Sequence, residues 1–232
     1  MRSHPPSTVH TTIVPPARGP IRAVVFDLDG VVVDSSAVMR EAFSIAYAEA
    51  VGDGPAPFEE YNRHMGRYFP DIMRHMGLPL AMEEPFVRES YRLAHRVPLF
   101  PGVRETLQAL RDRGIRTAIA TGKSSPRARS LLDLLGVLDL FDHVIGSDEV
   151  ARPKPAPDIV LRALELLGIA AAQAMMVGDA VIDLASGREA GVTTVATTWH
   201  GGDLTTLLAA GPDLVLHAPT ELLAHCAVAL VP

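Results

Sequence analysis

A chain of 232 residues, 48% of them hydrophobic, suits one large domain or a core with a smaller insert, and it can bury a sizeable core. The formal charge of −6 argues against nucleic acid or an anionic membrane surface as partner, and no apolar run approaches the span of a membrane helix. The single cysteine, Cys226, excludes an internal disulfide and reads as a buried small hydrophobe.

Residues 1–20 carry Pro5, Pro6, Pro15, Pro16 and Pro20 without helical periodicity and read as a flexible leader. They lack the continuous apolar region of a signal peptide, so the expectation is a soluble, cytoplasmic protein. Next, Ala23-Val24-Val25-Phe26 runs straight into Asp27-Leu28-Asp29-Gly30. A short apolar run bounded by a turn residue predicts a buried strand of a parallel sheet. If the strand continued through them, Asp27 and Asp29 would face one side, at the carboxyl end where open α/β sheets place their ligands. Two acids with no basic neighbour repel each other. A cation or a shared proton is therefore favoured over a capped loop as the reason for the pair.

Residues 36–50 predict a helix with Val38, Ala42, Ile45 and Ala46 on one face. Three more helical patterns follow over 58–65, 70–76 and 85–96, and no strand is readable before Val97. Val97-Pro98-Leu99-Phe100-Pro101-Gly102 is a proline-stiffened return. From there helices at 103–113, 126–135, 156–167 and 181–190 alternate with strands at 115–120, 143–145, 174–177 and 192–197. A weaker unit at 204–210 and 213–216 precedes a final helix from about Thr220. This alternation predicts an α/β fold, a doubly wound parallel sheet with helices on both faces. Residues 21–35 and 98–232 would form the core domain, and 36–97 an all-helical lid hinged near 34–36 and 97–102.

The basic residues hold a useful asymmetry. There are nineteen arginines but only two lysines, Lys123 and Lys154. A chain that uses arginine by default keeps lysine where a compact point charge is needed. Both fall just past predicted strands. Thr121-Gly122-Lys123-Ser124-Ser125-Pro126 is a strand-to-helix turn, with Ser125 as expected N-cap and Pro126 as first helical residue. It reads either as an ordinary capped turn or as a helix start whose free amides, beside the Thr121 hydroxyl, hold an anion such as phosphate. Lys154 lies between Pro153 and Pro155, which fix the backbone and aim the ammonium. The last such stretch, Gly178-Asp179-Ala180-Val181-Ile182-Asp183, puts two acids one helical turn apart after a strand. Carboxylates suit Mg²⁺ with a substrate phosphate, while lysine and helix-start amides suit the phosphate itself. The combination points to phosphoryl transfer, with a carboxylate available as nucleophile.

Phe26-Asp27-Leu28-Asp29-Gly30, Thr121, Lys154 and Gly178-Asp179 with Asp183 resemble, in order, the four motifs of the haloacid dehalogenase (HAD) superfamily. A helical insert after the first motif resembles the subclass of phosphoglycolate phosphatases and β-phosphoglucomutase. The resemblance implies a Rossmann-like core with a cap domain and a phosphatase acting on a small phosphorylated metabolite, a sugar phosphate or organic acid. It also implies that Asp27 attacks phosphorus to form an aspartyl phosphate and that Asp29 serves as acid, then base. Thr121, Gly122 and Lys154 would hold the phosphoryl group. Asp27, the Asp29 carbonyl, Asp179 and Asp183 would hold or support Mg²⁺. Lys123 has no assigned role.

Departures from the family patterns discriminate among its members. Dehalogenases lack the second aspartate of the first motif, and phosphonatases need a lid lysine, which this lid does not have. The mutase's lid-side histidine and lysine correspond to Met39 and Met65, which favours a phosphatase over the alternative, a phosphomutase. A catalytically silent binding module would be expected to lose a motif acid, and none is missing. In the lid, Gly66 marks a break between helices, so Arg67, His64 and Tyr68 are the expected substrate contacts, with packed or solvated roles as the alternative. Met73, Met76 and Met82 read as lid core, and His75 and His95 as surface. Trp199-His200-Gly201-Gly202 reads as pocket rim or as a plain packed tryptophan. The sequence names neither the substrate nor an oligomeric state.

Overall fold

The strands' apolar residues alternate between two cores, which is what a sheet covered on both faces requires. In β1 (Ala23–Phe26), Val24 and Phe26 join one buried cluster while Ala23 and Val25 join another. The computed structural model describes residues 19–226. Nearly all of the expected leader, and the end of the expected last helix, lie outside the described residues.

Six parallel strands form one sheet: β1, β2 (Arg116–Thr121), β3 (His143–Gly146), β4 (Ala174–Gly178), β5 (Thr193–Thr197) and β6 (Leu214–Leu216). Their spatial order is β3-β2-β1-β4-β5-β6, the doubly wound arrangement expected from the sequence. The order reverses between β1 and β4, whose ends pair Phe26 with Val177. The chain leaves both strands at that switch point, toward Asp27 and Asp179.

Helix α1 (Ser36–Ala50) is followed by α2 (Phe58–Asn62), α3 (Phe69–Met76) and α4 (Glu83–Arg92), with short 3₁₀ turns after α3 and α4. The 85–96 pattern therefore divides into α4 and a 3₁₀ turn, Ala94–Arg96. This helical segment packs around aromatic pairs, Phe43 on Tyr61 at 4.5 Å and Phe69 on Phe86 at 4.2 Å between ring centroids. Met73 and Met82 are buried among them. The entry and exit segments are tied together: the Asp34 amide donates to the Pro98 carbonyl at 3.0 Å and the Phe100 amide to that of Val32 at 3.1 Å.

Helices α5 (Val103–Asp112) and α6 (Ser125–Leu134) contribute to the first core, and α7 (Asp158–Leu167) to the second. Helix α8 (Val181–Glu189) follows β4, and α9 (Leu204–Ala209) precedes β6. The segment from Pro219 to Ala224 is a 3₁₀ helix, where an α-helix was expected. Proline at its start and the three-residue hydrogen bond from His225 to Leu222 keep it tight. Cys226 is buried, as its apolar setting predicts. Among the described residues no helix is long and apolar enough to cross a membrane.

Candidate active site

The strand ends at Phe26, so Asp27 and Asp29 lie in the turn beyond it and take separate partners. Asp27 is pinned to β4 by its amide, 2.9 Å from the Val177 carbonyl. Its carboxylate accepts a 2.8 Å hydrogen bond from Lys154 Nζ. The same ammonium donates to Asp183 Oδ1 at 2.6 Å and to the Ala120 carbonyl at 3.1 Å, which uses all three of its donors. Asp183 is further fixed by the Ala180 amide at 3.1 Å. Asp27, Asp179 and Asp183 each offer an oxygen within 4.8 Å of the others.

Three clustered carboxylates against one ammonium leave an excess of negative charge in a buried place. The strain registers in their protonation. Burial, opposed by Lys154 and reinforced by Asp183, pushes Asp27 up to about 7. Burial and the charges of Asp183 and Asp27 lift Asp179 well above the usual carboxylate range. An all-oxygen set carrying surplus negative charge fits a hard divalent cation. Glycines admit the close approach. Gly30 has φ +81°, and a Cβ there would lie 2.1 Å from Asp179 Oδ2.

Asp29 has the opposite environment. Its carboxylate takes the Ser35 hydroxyl at 2.5 Å and the Lys123 ammonium at 3.2 Å. Burial works to raise its pKa, but Lys123 and Ser35 outweigh it and hold the carboxyl below its ordinary value. Both lysines of the chain are thus buried, each paired with one acid of the first motif.

The Thr121 turn closes beside them. Ser124, rather than Ser125, is the N-cap of α6. Of the two sequence readings, a capped turn or amides open to an anion, the structure engages two of the turn's amides within the protein. The Ser125 amide donates to Asp148 Oδ1 at 2.7 Å, and the Lys123 amide to Thr121 Oγ1 at 3.1 Å. The Gly122 carbonyl accepts from the Ser147 hydroxyl at 2.6 Å, so the loop after β3 braces this turn. A Cβ on Gly122 would meet the Gly66 carbonyl oxygen at 2.2 Å, because the α2–α3 loop rests directly on it.

That loop and the core enclose a cleft of about 600 Å³. Arg67 lines it, together with Asp29, Arg63, Asp179 and His200. His64 and Tyr68 are not among its lining residues. The His64 ring instead meets that of His75 edge-on at 4.4 Å, and Tyr68 is the N-terminal flanking residue of α3.

Residues 21–191 match the sequence model of the haloacid dehalogenase-like hydrolases. The chain belongs to this family. A probable phosphatase, IndB, of Dickeya dadantii is 33% identical over 211 residues, covering 85% of this chain and 90% of that protein. A phosphoglycolate phosphatase of Chromobacterium violaceum is 32% identical over 87% of this chain and 95% of its own. Among solved structures, CbbY of Rhodobacter sphaeroides in complex with phosphate aligns with a TM-score of 0.76 and 26% identity, covering 89% of this chain and 99% of that one. The reaction class of the hydrolase is phosphoric monoester hydrolysis.

Sequence reasoning missed several groups in this hydrolase's site. Ser35 was read only as a linker residue, and Lys123 was singled out by lysine scarcity without a partner. His200, by contrast, was expected on the pocket rim and does line the cleft; its Nε2 lies 3.3 Å from Asp179 Oδ2, and burial holds the imidazole below its usual pKa. Trp199 Nε1 donates to the Val31 carbonyl at 3.0 Å, which ties the turn after β1 to the loop after β5. Arg127, buried on α6, carried no sequence signal among nineteen arginines.

Proposed function

We propose that this hydrolase is a Mg²⁺-dependent phosphatase that cleaves a small phosphate monoester, of a sugar or an organic acid, through an aspartyl phosphate on Asp27. The observation that carries the reading is the oxygen-only set of buried Asp27 and Asp183 and half-buried Asp179 around one lysine, with Asp29 held apart from it. Mg²⁺, when bound by the Asp27 and Asp179 carboxylates and the Asp29 carbonyl with Asp183 in support, would neutralise charge on the phosphoryl oxygens.

The chain's own groups divide the remaining work. Asp27 attacks phosphorus as its bond to the leaving oxygen breaks, and Asp29 protonates that oxygen. Asp29 then takes a proton from the water that hydrolyses the aspartyl phosphate. Lys123 and Ser35, which favour its ionised form, suit this second half. Thr121, Gly122 and Lys154 hold the phosphoryl oxygens, with Lys154 also keeping Asp27 oriented. Residues 36–97 act as a cap over the core formed by 21–35 and 98–232, and Arg67 is the cap residue assigned to substrate. Met39 and Met65, at the positions where the mutase carries histidine and lysine, line an apolar wall beside Asp29, which supports hydrolysis over phosphoryl transfer back to a sugar. The reading is of a cytoplasmic enzyme acting on free metabolites, with neither nucleic acid nor membrane as partner.

The test is a panel of phosphate esters with Mg²⁺, read as released inorganic phosphate. Asp27→Asn is expected to abolish turnover with an unchanged melting profile. Turnover at the wild-type level in that variant would sink the mechanism, and isomerised sugar phosphate in place of free phosphate would favour a mutase.

A further inference from the structure

Within the candidate metal set, Asp27 and Asp183 are both held by Lys154, and Asp183 also by the Ala180 amide. Asp179 is held differently. Among the described residues no lysine or arginine lies within ion-pair distance of it, and its side-chain contact is the imidazole of His200, with Nε2 3.3 Å from Oδ2. Both residues line the open cleft.

The ring is built into that position. The Gly202 amide donates to Nδ1 at 3.3 Å, so Nδ1 carries no proton and the ring's N–H is the one on Nε2, beside Asp179. Gly202 also makes room for the ring: a Cβ there would lie 2.1 Å from Cε1 and 2.7 Å from Nε2. The loop itself is anchored on both sides. The Gly201 amide donates to the Thr198 carbonyl at 3.1 Å, with Gly201 at φ +83°, and the Thr198 amide donates to the Leu216 carbonyl at 3.1 Å. Trp199 Nε1 donates to the Val31 carbonyl, so the loop that carries His200 is tied to the turn that follows Asp27 and Asp29. A histidine whose two ring nitrogens have separate partners, one a backbone amide and one a carboxylate, is placed to set how that carboxylate points.

We propose that His200 is a positioning residue for the metal site: its Nε2–H engages Asp179 Oδ2 and leaves Oδ1 turned toward the cation. The proposal rests on the Mg²⁺ reading above and deepens it to the residue that supports one of the metal's ligands. His200 itself touches neither the cation nor the phosphoryl group. Lys154 orients Asp27 and Asp183 with a full charge, which repels a cation held by the same carboxylates. A neutral donor orients Asp179 without adding that repulsion.

The test is metal binding by the full chain without substrate. Mn²⁺ is the probe, because it takes the same oxygen ligands and its free ion is counted directly by electron paramagnetic resonance. His200→Ala is expected to weaken Mn²⁺ binding about 10- to 100-fold, with the melting temperature in chelator unchanged. His200→Gln, whose amide puts a donor near the Nε2 position, is expected to recover part of that loss. Gly202→Ala keeps the imidazole but drives it from its seat, so it is expected to weaken binding as well, and combining it with His200→Ala to add little more. Unchanged Mn²⁺ affinity in His200→Ala overturns the proposal, as do full additivity of the two substitutions and a raised KM with metal binding intact. A directly coordinated nitrogen in the spectrum of bound Mn²⁺ also overturns it, since His200 would then be a ligand. If His200→Ala fails to fold, Gly202→Ala and His200→Gln decide the matter. Asp179→Asn separates this from the reading beneath it. Metal affinity unaffected in that variant removes the Asp179 metal site and the proposal with it, whereas affinity lost there but kept in His200→Ala removes the proposal alone.

Discussion

Replacing Gly122 by alanine tests whether the helical segment must seat on the Thr121–Gly122 turn for catalysis. The new Cβ would lie 2.2 Å from the Gly66 carbonyl oxygen and 2.7 Å from that of Arg67, where ordinary contact begins at 3.4 Å. Both neighbours are backbone, so no side chain can swing aside, and the α2–α3 loop must retreat by roughly 1 Å, an overpacking that costs about 1–3 kcal/mol. If the cap can open, the strain falls on the closed state alone. Its population then drops by about 5- to 150-fold at roughly 1.4 kcal/mol per factor of ten. The expected result is a loss of kcat/KM of that size, measured as phosphate release, with a melting temperature shifted little because opening relieves the clash. Unchanged kcat/KM would refute the reasoning. So would a loss of stability of the same size accompanied by normal turnover, since that would mean the contact is a fixed part of the fold.

Three further outcomes follow from the charges. Lys154→Met strips the ammonium from two buried carboxylates and is expected to cost about 3–5 kcal/mol in urea unfolding near neutral pH, with Mg²⁺ recovering part of it; a cost below about 1 kcal/mol would contradict the pairing seen here. In chelator, the raised Asp27 carboxyl contributes stability that is present below its unfolded value of 3.8 and lost as pH rises through about 7. Mg²⁺ offsets that loss by taking the proton's place, so the rise in melting temperature on adding Mg²⁺ is expected to grow across that interval, and a rise independent of pH would count against the site. Lys123→Gln leaves burial as the main influence on Asp29, which must give up a proton in the first step, so the alkaline limb of the kcat/KM profile is expected to move to higher pH. A limb that stays in place would show that Asp29 is not the titrating group.

The fold was legible because several strands' runs of small and branched apolar residues end at a glycine or an acid, as Phe26 does at Asp27 and Val177 at Gly178. Strand limits shifted by a residue where pairing outweighs local pattern: Thr121 pairs with Gly146 and so belongs to β2. The core acids were legible because several carboxylates past parallel strands have few structural uses. Lys123 and Lys154 stood out through the chain's own preference for arginine. The same preference hid Arg127, whose burial depends on Phe86 and Ser90 arriving from another part of the chain. His64 illustrates the limit on the helical segment. Proximity to Gly66 suggested the cleft, yet a ring contact with His75, eleven positions on, decides where the imidazole goes. Neither relation leaves a period or a motif in the sequence.

The confinement of lysine to Lys123 and Lys154, both buried and both ion-paired, has a practical consequence for chemical labelling. Ordinary proteins scatter reactive amines over their surface, where acylating reagents label them indiscriminately. Here the surface cations among the described residues are guanidinium groups that such reagents pass over. Any side-chain amine that becomes modified reports exposure of one of two positions, each tied to one aspartate of the first motif. Isotopic methyl labelling followed by peptide mapping would therefore read opening of the two halves of the site separately, from the protein's native residues and without an introduced probe.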